Sequence, residues 1–239
     1  MNSEVFQGKR VLIVAAHPDD EALGLGGTVH RLVSRHNCEA RAVILGEGIT
    51  SRGEVRDKWS NELARHQENI NSAVKCIGYS SVGIYDFPDN RFDSVDLLDI
   101  IKQVESEINE FLPDVIFTHH HGDLNVDHRL TCESVMTATR PLPGTPPRVI
   151  LSFETPSSTE WQLPDSNKAF LPHLFVPLSD DDLAAKQRAI ESYEFECRDY
   201  PHPRSIRALE VIARRWGTVI GVEFAEAFGV MRWVLDNKI

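Results

Sequence analysis

Residues 11–27 read VLIVAAHPDDEALGLGG, and this stretch decides the fold. It opens with an apolar run, Val11-Leu12-Ile13-Val14-Ala15-Ala16, set between Lys9-Arg10 and His17-Pro18. An unbroken apolar run, rather than an alternating one, predicts a strand buried on both faces at the centre of a parallel sheet. Where the run stops, His17, Asp19, Asp20 and Glu21 crowd together. Ligands of open α/β sheets bind beyond the carboxyl ends of the strands, so this position suits a site. An imidazole and several carboxylates packed there would repel or lie idle unless a cation joined them.

Working outward, residues 21–35 place Leu23, Val29, Leu32 and Val33 on one helical face. Gly24, Gly26 and Gly27 invite a dinucleotide reading, but the last glycine of a G-x-G-x-x-G pattern would fall at Val29. The carboxylates at 19, 20 and 21 would also repel a pyrophosphate. The glycines are read instead as small residues for close helix–strand packing.

Residues 39–45 (EARAVIL) predict a second strand, followed by a loop over 46–53. A helix is predicted over 57–77, with Leu63, Ile70, Val74 and Ile77 inward and Gly78 as its stop. A short strand at 82–85, a helix over 94–112 capped by Asp93 or Ser94, and a strand at 114–118 come next. The loop His119-His120-His121-Gly122-Asp123-Leu124-Asn125-Val126-Asp127-His128 opens a helix reaching about residue 139. After a surface loop at 141–147, strands are expected at 149–153 and 174–178, and helices at 179–193 and 205–216. Strand and helix alternating at this spacing imply right-handed crossovers and an α/β fold with a mainly parallel central sheet. With no repeat or linker in view, residues 1–239 read as a single domain.

The formal net charge of -11 argues against nucleic acid or an anionic membrane as the main partner, since both call for a basic footprint. It leaves room for a phosphorylated small substrate held by a few local arginines. Cys38, Cys76, Cys132 and Cys197 form no C-x-x-C pair and read as reduced thiols. The first ten residues lack an apolar h-region, and no later run is long enough to span a bilayer. The expectation is a cytoplasmic protein; self-association into a homo-oligomer is compatible with the sequence.

Two strand ends therefore carry chemistry. Two histidines and one carboxylate form a common catalytic zinc set with a position left open for water. His17 and Asp20 from the first loop and His128 from the second would supply it, leaving Asp19 as general base. Zinc lowers the pKa of bound water from about 15.7 to about 7. The plainer alternative is that His17-Pro18 only breaks a strand and the acidic residues only favour the helix dipole. For one loop that alternative is fair; for two loops at neighbouring sheet termini the metal reading is stronger.

The AHPDDE stretch after a buried strand, with a later xxDH loop opening a helix, resembles the LmbE-like / PIG-L family of zinc-dependent de-N-acetylases. The resemblance continues through Arg65 and Glu68, Ile77-Gly78 and Pro88-Asp89. It extends to Phe153-Glu154, Ser157 to Trp161, Tyr193, His202-Pro203-Arg204-Ser205 and Glu223-Phe224-Ala225-Glu226. It implies a Rossmann-like three-layer fold, one Zn2+ per chain on His17, Asp20 and His128, and Asp19 as the base. Arg65 and Asp89 match positions that hold the substrate sugar. The implied activity is hydrolysis of the N-acetyl group of an amino sugar, carried on a nucleotide or another activated carrier.

This sequence departs from the family in one place. The second motif commonly begins with a histidine that polarises the amide carbonyl, and here that position is Asn125. Losing an oxyanion donor costs about 10²–10³ in rate. The Asn125 amide can donate a hydrogen bond but carries no charge, so a substitute is expected, His202 first with His120 behind it, and the donor to the oxyanion is read as His202 or Asn125. Asp127 would orient whichever imidazole does this work. Arg52 and Arg204 read either as contacts to hydroxyls or phosphate or as surface ion pairs. Trp161 reads as a stacking platform or as a lid over the core. Two rival functions stand beside this one, a metal-dependent phosphoesterase and a non-catalytic sugar-binding homologue.

Overall fold

The computed structural model describes residues 6–49, 60–141 and 147–234. The elements run β1 (Arg10–Ala15), α1 (Asp20–His36), β2 (Glu39–Gly46), α2 (Ser60–Ile77), β3 (Ser81–Phe87), α3 (Leu97–Phe111) and β4 (Val115–His119). Then follow α4 (Val126–Ala138), β5 (Val149–Phe153), β6 (Leu174–Leu178), α5 (Asp180–Ser192), α6 (Ile206–Ile220) and β7 (Phe224–Trp233). Among the described residues the strands form one seven-stranded sheet in the order β3-β2-β1-β4-β5-β7-β6.

The first apolar run lies at the heart of this sheet, because β1 pairs in parallel with both β2 and β4. Its side chains alternate between two cores. Val11 and Ile13 pack with Leu23, Ile70, Ile77 and Ile190 of α1, α2 and α5. Leu12 and Val14 pack on the other face with Ile100, Val104 and Ile108 of α3 and Val135 of α4. The result is the expected three-layer α/β fold with a mostly parallel sheet. Burying each such side chain is worth about 1.5–3 kcal/mol, which is why no polar residue interrupts the run.

The small residues of α1 serve close packing. A Cβ on Gly24 would lie 2.3 Å from the Phe153 ring, and one on Gly27 would lie 2.7 Å from Leu178. The helix is interrupted at Leu25 (φ -152, ψ 19). There the N–H groups of Gly27 and Thr28 donate to the buried Glu226 carboxylate at 3.2 and 2.7 Å. Gly78 ends α2 as expected, at φ 94, with its N–H on Val74 O.

One strand went unassigned in the sequence, and one helix start needs correction. Residues 224–233 do not stand out as a strand in sequence, yet β7 inserts between β5 and β6 and runs antiparallel to both. Its pattern is disguised by Glu226, which is buried because Lys186 Nζ (2.6 Å) and α1 backbone satisfy it. The helix expected from residue 94 begins instead at Leu97, after a 3-10 turn at Phe92–Ser94. Neither Asp93 nor Ser94 caps it; the Ser94 hydroxyl donates backward to Arg91 O, and Asp96 takes the N-cap position. The described cysteines are free thiols. No helix among the described residues is long and apolar enough to cross a membrane.

Candidate active site

β1 and β4 are parallel neighbours, and the helices that follow them pack on opposite faces of the sheet. Such a switch point opens a crevice at the carboxyl ends of the strands, and both sequence motifs enter it. His17 N donates to Asp20 Oδ2 at 2.8 Å, and the ring Nδ1 lies 3.5 Å from that oxygen. His128 Nε2 approaches it to 3.3 Å from the other loop. The two imidazoles are 5.3 Å apart between centroids. One ligand atom from each of His17, Asp20 and His128 falls within 4.8 Å of the others.

The far nitrogen of each ring is backed by a carboxylate. His17 Nε2 shares a 2.9 Å hydrogen bond with Asp127 Oδ2, while Asp127 Oδ1 accepts the Phe92 N–H. His128 Nδ1 lies 3.1 Å from Asp123 Oδ1, an ion-pair contact not aligned as a hydrogen bond. Asp123 is held in turn by the Ser158 and Thr159 hydroxyls. Carboxylates in this position fix ring orientation and raise ligand basicity at metal-binding histidines. A second grouping of His17 with Asp89 and Asp127 meets the same distance limit, but it lies behind the His17 ring, where the Asp127 hydrogen bond already occupies Nε2.

The residues suit a metal. Asp20 Oδ1 is buried with no hydrogen-bond partner, a state that costs about 1–3 kcal/mol and that a cation would relieve. Two imidazoles and one carboxylate are a donor set of catalytic zinc sites. Burial works against charge on both rings. Even so, the Asp127 and Asp20 contacts lift His17 to about 10, and Asp20 and Asp123 lift His128 to about 9. Burial would raise Asp20, yet the His128 contact holds it well below the usual carboxylate range.

Asp19 stands beside this set, almost fully buried, with its backbone in the left-handed region at φ 98. Its N–H donates to Glu21 Oε2 (3.1 Å), and Glu21 Oε1 accepts the Tyr193 hydroxyl (2.6 Å). Arg204 Nη1 donates to Asp19 Oδ2 at 2.8 Å and to Glu196 Oε2 at 2.7 Å. Burial pushes the Asp19 carboxyl well up, against the pull of Arg204.

The other expected residues divide. Asp89 is brought in, its Oδ1 3.5 Å from His17 Nε2. Asn125 is the N-cap of α4: Oδ1 accepts Asp127 N–H at 2.8 Å and Nδ2 donates to Asn90 Oδ1 at 2.9 Å. His202 packs edge-on against Trp161 at 5.7 Å, and its Nδ1 accepts the Arg204 N–H at 3.1 Å. Trp161 is 52% exposed. Arg65 stays at the surface, paired with Glu194 and standing over the Phe195 ring. His120 Nε2 donates to Lys168 O at 2.7 Å. Arg52 lies outside the described residues.

Sequence reasoning left His119 undecided, and the structure places it in the wall of the site. It ends β4, stacks on His128 at 4.0 Å and 15°, and its Nε2 accepts the Ala16 N–H at 2.9 Å. An imidazole accepting a backbone N–H at Nε2 is neutral and offers no ligand atom on that side. Its position as the last strand residue, opposite the end of β1, was the available signal. Glu196 carried none: it is one acidic residue in a polar stretch.

Such a crevice, lined by two carboxylate-backed imidazoles and a buried carboxylate pair, defines an α/β protein built around a candidate metal centre. The family model for PIG-L, GlcNAc-PI de-N-acetylase, matches residues 12–139, and the chain belongs to that family. It is 29% identical over 197 residues to the uncharacterized deacetylase YaiS of Escherichia coli (strain K12), covering 80% of this chain and 94% of that protein. It is 26% identical over 230 residues to the diacetylchitobiose deacetylase of Thermococcus kodakarensis, covering 91% and 81%. Among solved structures it is similar to the conserved protein TT1542 from Thermus thermophilus, with a TM-score of 0.73 over 95% of this chain and 97% of that one. At 23% identity this last likeness speaks to the fold alone.

Proposed function

We propose that this chain is a zinc-dependent hydrolase that removes the acetyl group from an N-acetylated amino sugar. One observation carries the reading: His17, Asp20 and His128 converge from two strand ends, with Asp19 buried beside them, on the fold of a deacetylase family. Zinc on these residues would supply Lewis acidity and a water acidified to near neutrality. His17 faces Asp20 with Nδ1 and His128 does so with Nε2, so those are the nitrogens we assign to the metal. Asp127 and Asp123 hold the rings from behind.

Asp19 takes a proton from the attacking water and returns it to the leaving amine, giving acetate and a free amino sugar. Asn125 spends Oδ1 on the cap of α4 and one Nδ2 hydrogen on Asn90, which leaves one N–H as an uncharged second choice for polarising the amide oxygen. His202 accepts at Nδ1 and therefore carries its proton on Nε2, a neutral donor; burial and the nearby Arg204 and Arg198 hold it below the usual histidine range. We assign it that role. Asp89 and the exposed face of Trp161 are assigned to the sugar, with Arg65 as a further contact; Arg52, outside the described residues, is carried only as a candidate from the sequence. The whole chain is taken as one domain, because β7 and β6 complete the sheet that β1 begins.

A panel of free, phosphorylated and nucleotide-linked N-acetyl hexosamines, incubated with zinc-loaded enzyme, tests the reading and finds the carrier. Acetate and primary amine should appear in equal amounts and stop on chelation. Release of phosphate instead, or of nothing, would overturn it.

A further inference from the structure

We propose that Arg204 is a positioning residue: it holds Asp19 through Oδ2, so that Oδ1 is the oxygen turned toward the reacting water. The inference deepens the proposed function and rests on the reading of Asp19 as base.

Asp19 is a non-glycine residue in the left-handed region, at φ 98. Such backbone persists only where the surroundings fix it, and it recurs at active sites. Here the residue is gripped at both ends. The main-chain N–H is tied to Glu21, itself locked by Tyr193. The carboxylate is tied at Oδ2 by Arg204 Nη1. Among the described residues no protein group bonds Oδ1.

Arg204 is itself fixed. The Nη1 that reaches Asp19 also donates to Glu196 Oε2 at 2.7 Å, and Nε donates to Ser157 Oγ at 2.7 Å. Ser157 is also a left-handed non-glycine residue, at φ 74. One planar guanidinium thus ties together three acceptors on three separate stretches of chain. Its side chain is only 23% exposed. An arginine waiting for a hydroxyl or phosphate would leave its fork open; this one has committed Nε and Nη1 to the protein, with Nη2 remaining. Lysine offers a point charge without that fork and cannot span the same acceptors.

The test uses the zinc-loaded full chain carrying Arg204→Ala, Arg204→Lys or Glu196→Gln. Misplacing a reacting group by about 1 Å costs on the order of 10²-fold. Arg204→Ala should therefore lose about that much kcat, while KM and zinc affinity stay within roughly threefold. Glu196→Gln should lose less. Added guanidinium should restore part of kcat to Arg204→Ala, and Arg204→Lys should fall between the two. A crystal structure of Arg204→Ala should show Asp19 turned from its wild-type rotamer, a readout that needs no turnover. A raised KM with unchanged kcat would make Arg204 a substrate contact and overturn the inference, as would an unmoved Asp19. If Arg204→Ala does not fold, the kcat and KM of Glu196→Gln and Arg204→Lys decide on the same criteria. If wild-type enzyme releases no acetate from any N-acetyl sugar, the functional reading falls, while the Asp19 conformation in the variant still decides on the clamp.

Discussion

Residues up to 141 and residues from 147 onward reach the same crevice in different ways. The first part delivers His17, Asp19, Asp20, Asp123, Asp127 and His128 in two tight stretches directly behind β1 and β4. The second part delivers isolated side chains from well-separated places: Thr159 on Asp123, Tyr193 on Glu21, Glu196 and Arg204 around Asp19, and Glu226 on α1. Groups that would hold one ion and work on its water must meet at one point, so they cluster in sequence where two parallel strands end; His202, proposed to polarise the amide oxygen, is the exception from the second part. Groups that aim them need only arrive from behind, from wherever the fold brings a donor. The family match over 12–139 follows the same division.

The largest effects should come from the first part. His128→Ala should lose zinc and activity together, read by metal analysis and acetate release. Asp19→Asn should keep its zinc and lose about 10²–10⁴ in kcat; equal rates would remove Asp19 as base and erase the contrast between the two parts. An intermediate effect is expected behind the site. Tyr193→Phe leaves the buried Glu21 Oε1 without its donor and should cost about 1–3 kcal/mol in denaturant unfolding, with zinc content unchanged. Gly24→Ala sets a methyl 2.3 Å from the Phe153 ring and should cost about 1–3 kcal/mol by the same measurement.

The smallest effect concerns Glu154, away from the metal ligands. Burial raises its carboxyl, opposed by the Trp216 hydrogen bond and by Lys186. A carboxyl raised in the folded state contributes its stability below the unfolded value of about 4.3 and loses it as pH rises through the folded value. Glu154→Gln should therefore melt above wild type at pH 8, with the gap closing toward pH 5 in thermal scans.

The sequence made the centre of the fold legible because β1 must be apolar on both faces, so its run is unmistakable. The candidate metal cluster was legible as well, since His17, Asp19, Asp20 and Glu21 crowded at a strand end have no structural use that explains them all. β7 was hidden because Glu226, whose charge argues against a buried strand, is neutralised by a lysine forty residues away in α5. Asn125 could be recognised as a departure, but not as a helix cap that also bonds Asn90. Arg204 could be read as a ligand contact or a surface pair; only the fold shows that it grips Asp19. Pairings between distant single residues leave no periodicity and no motif.

The break in α1 at Leu25 has a mechanical consequence. The turn bearing Asp20 and Glu21 is not the rigid continuation of the rod behind it but a short piece on a joint, with its own direction. The joint is fastened from the last strand, where Glu226 takes the N–H groups that the break sets loose. A chain cut after α4 would keep every proposed metal ligand, yet it would free that joint and let the ligand-bearing turn drift out of aim.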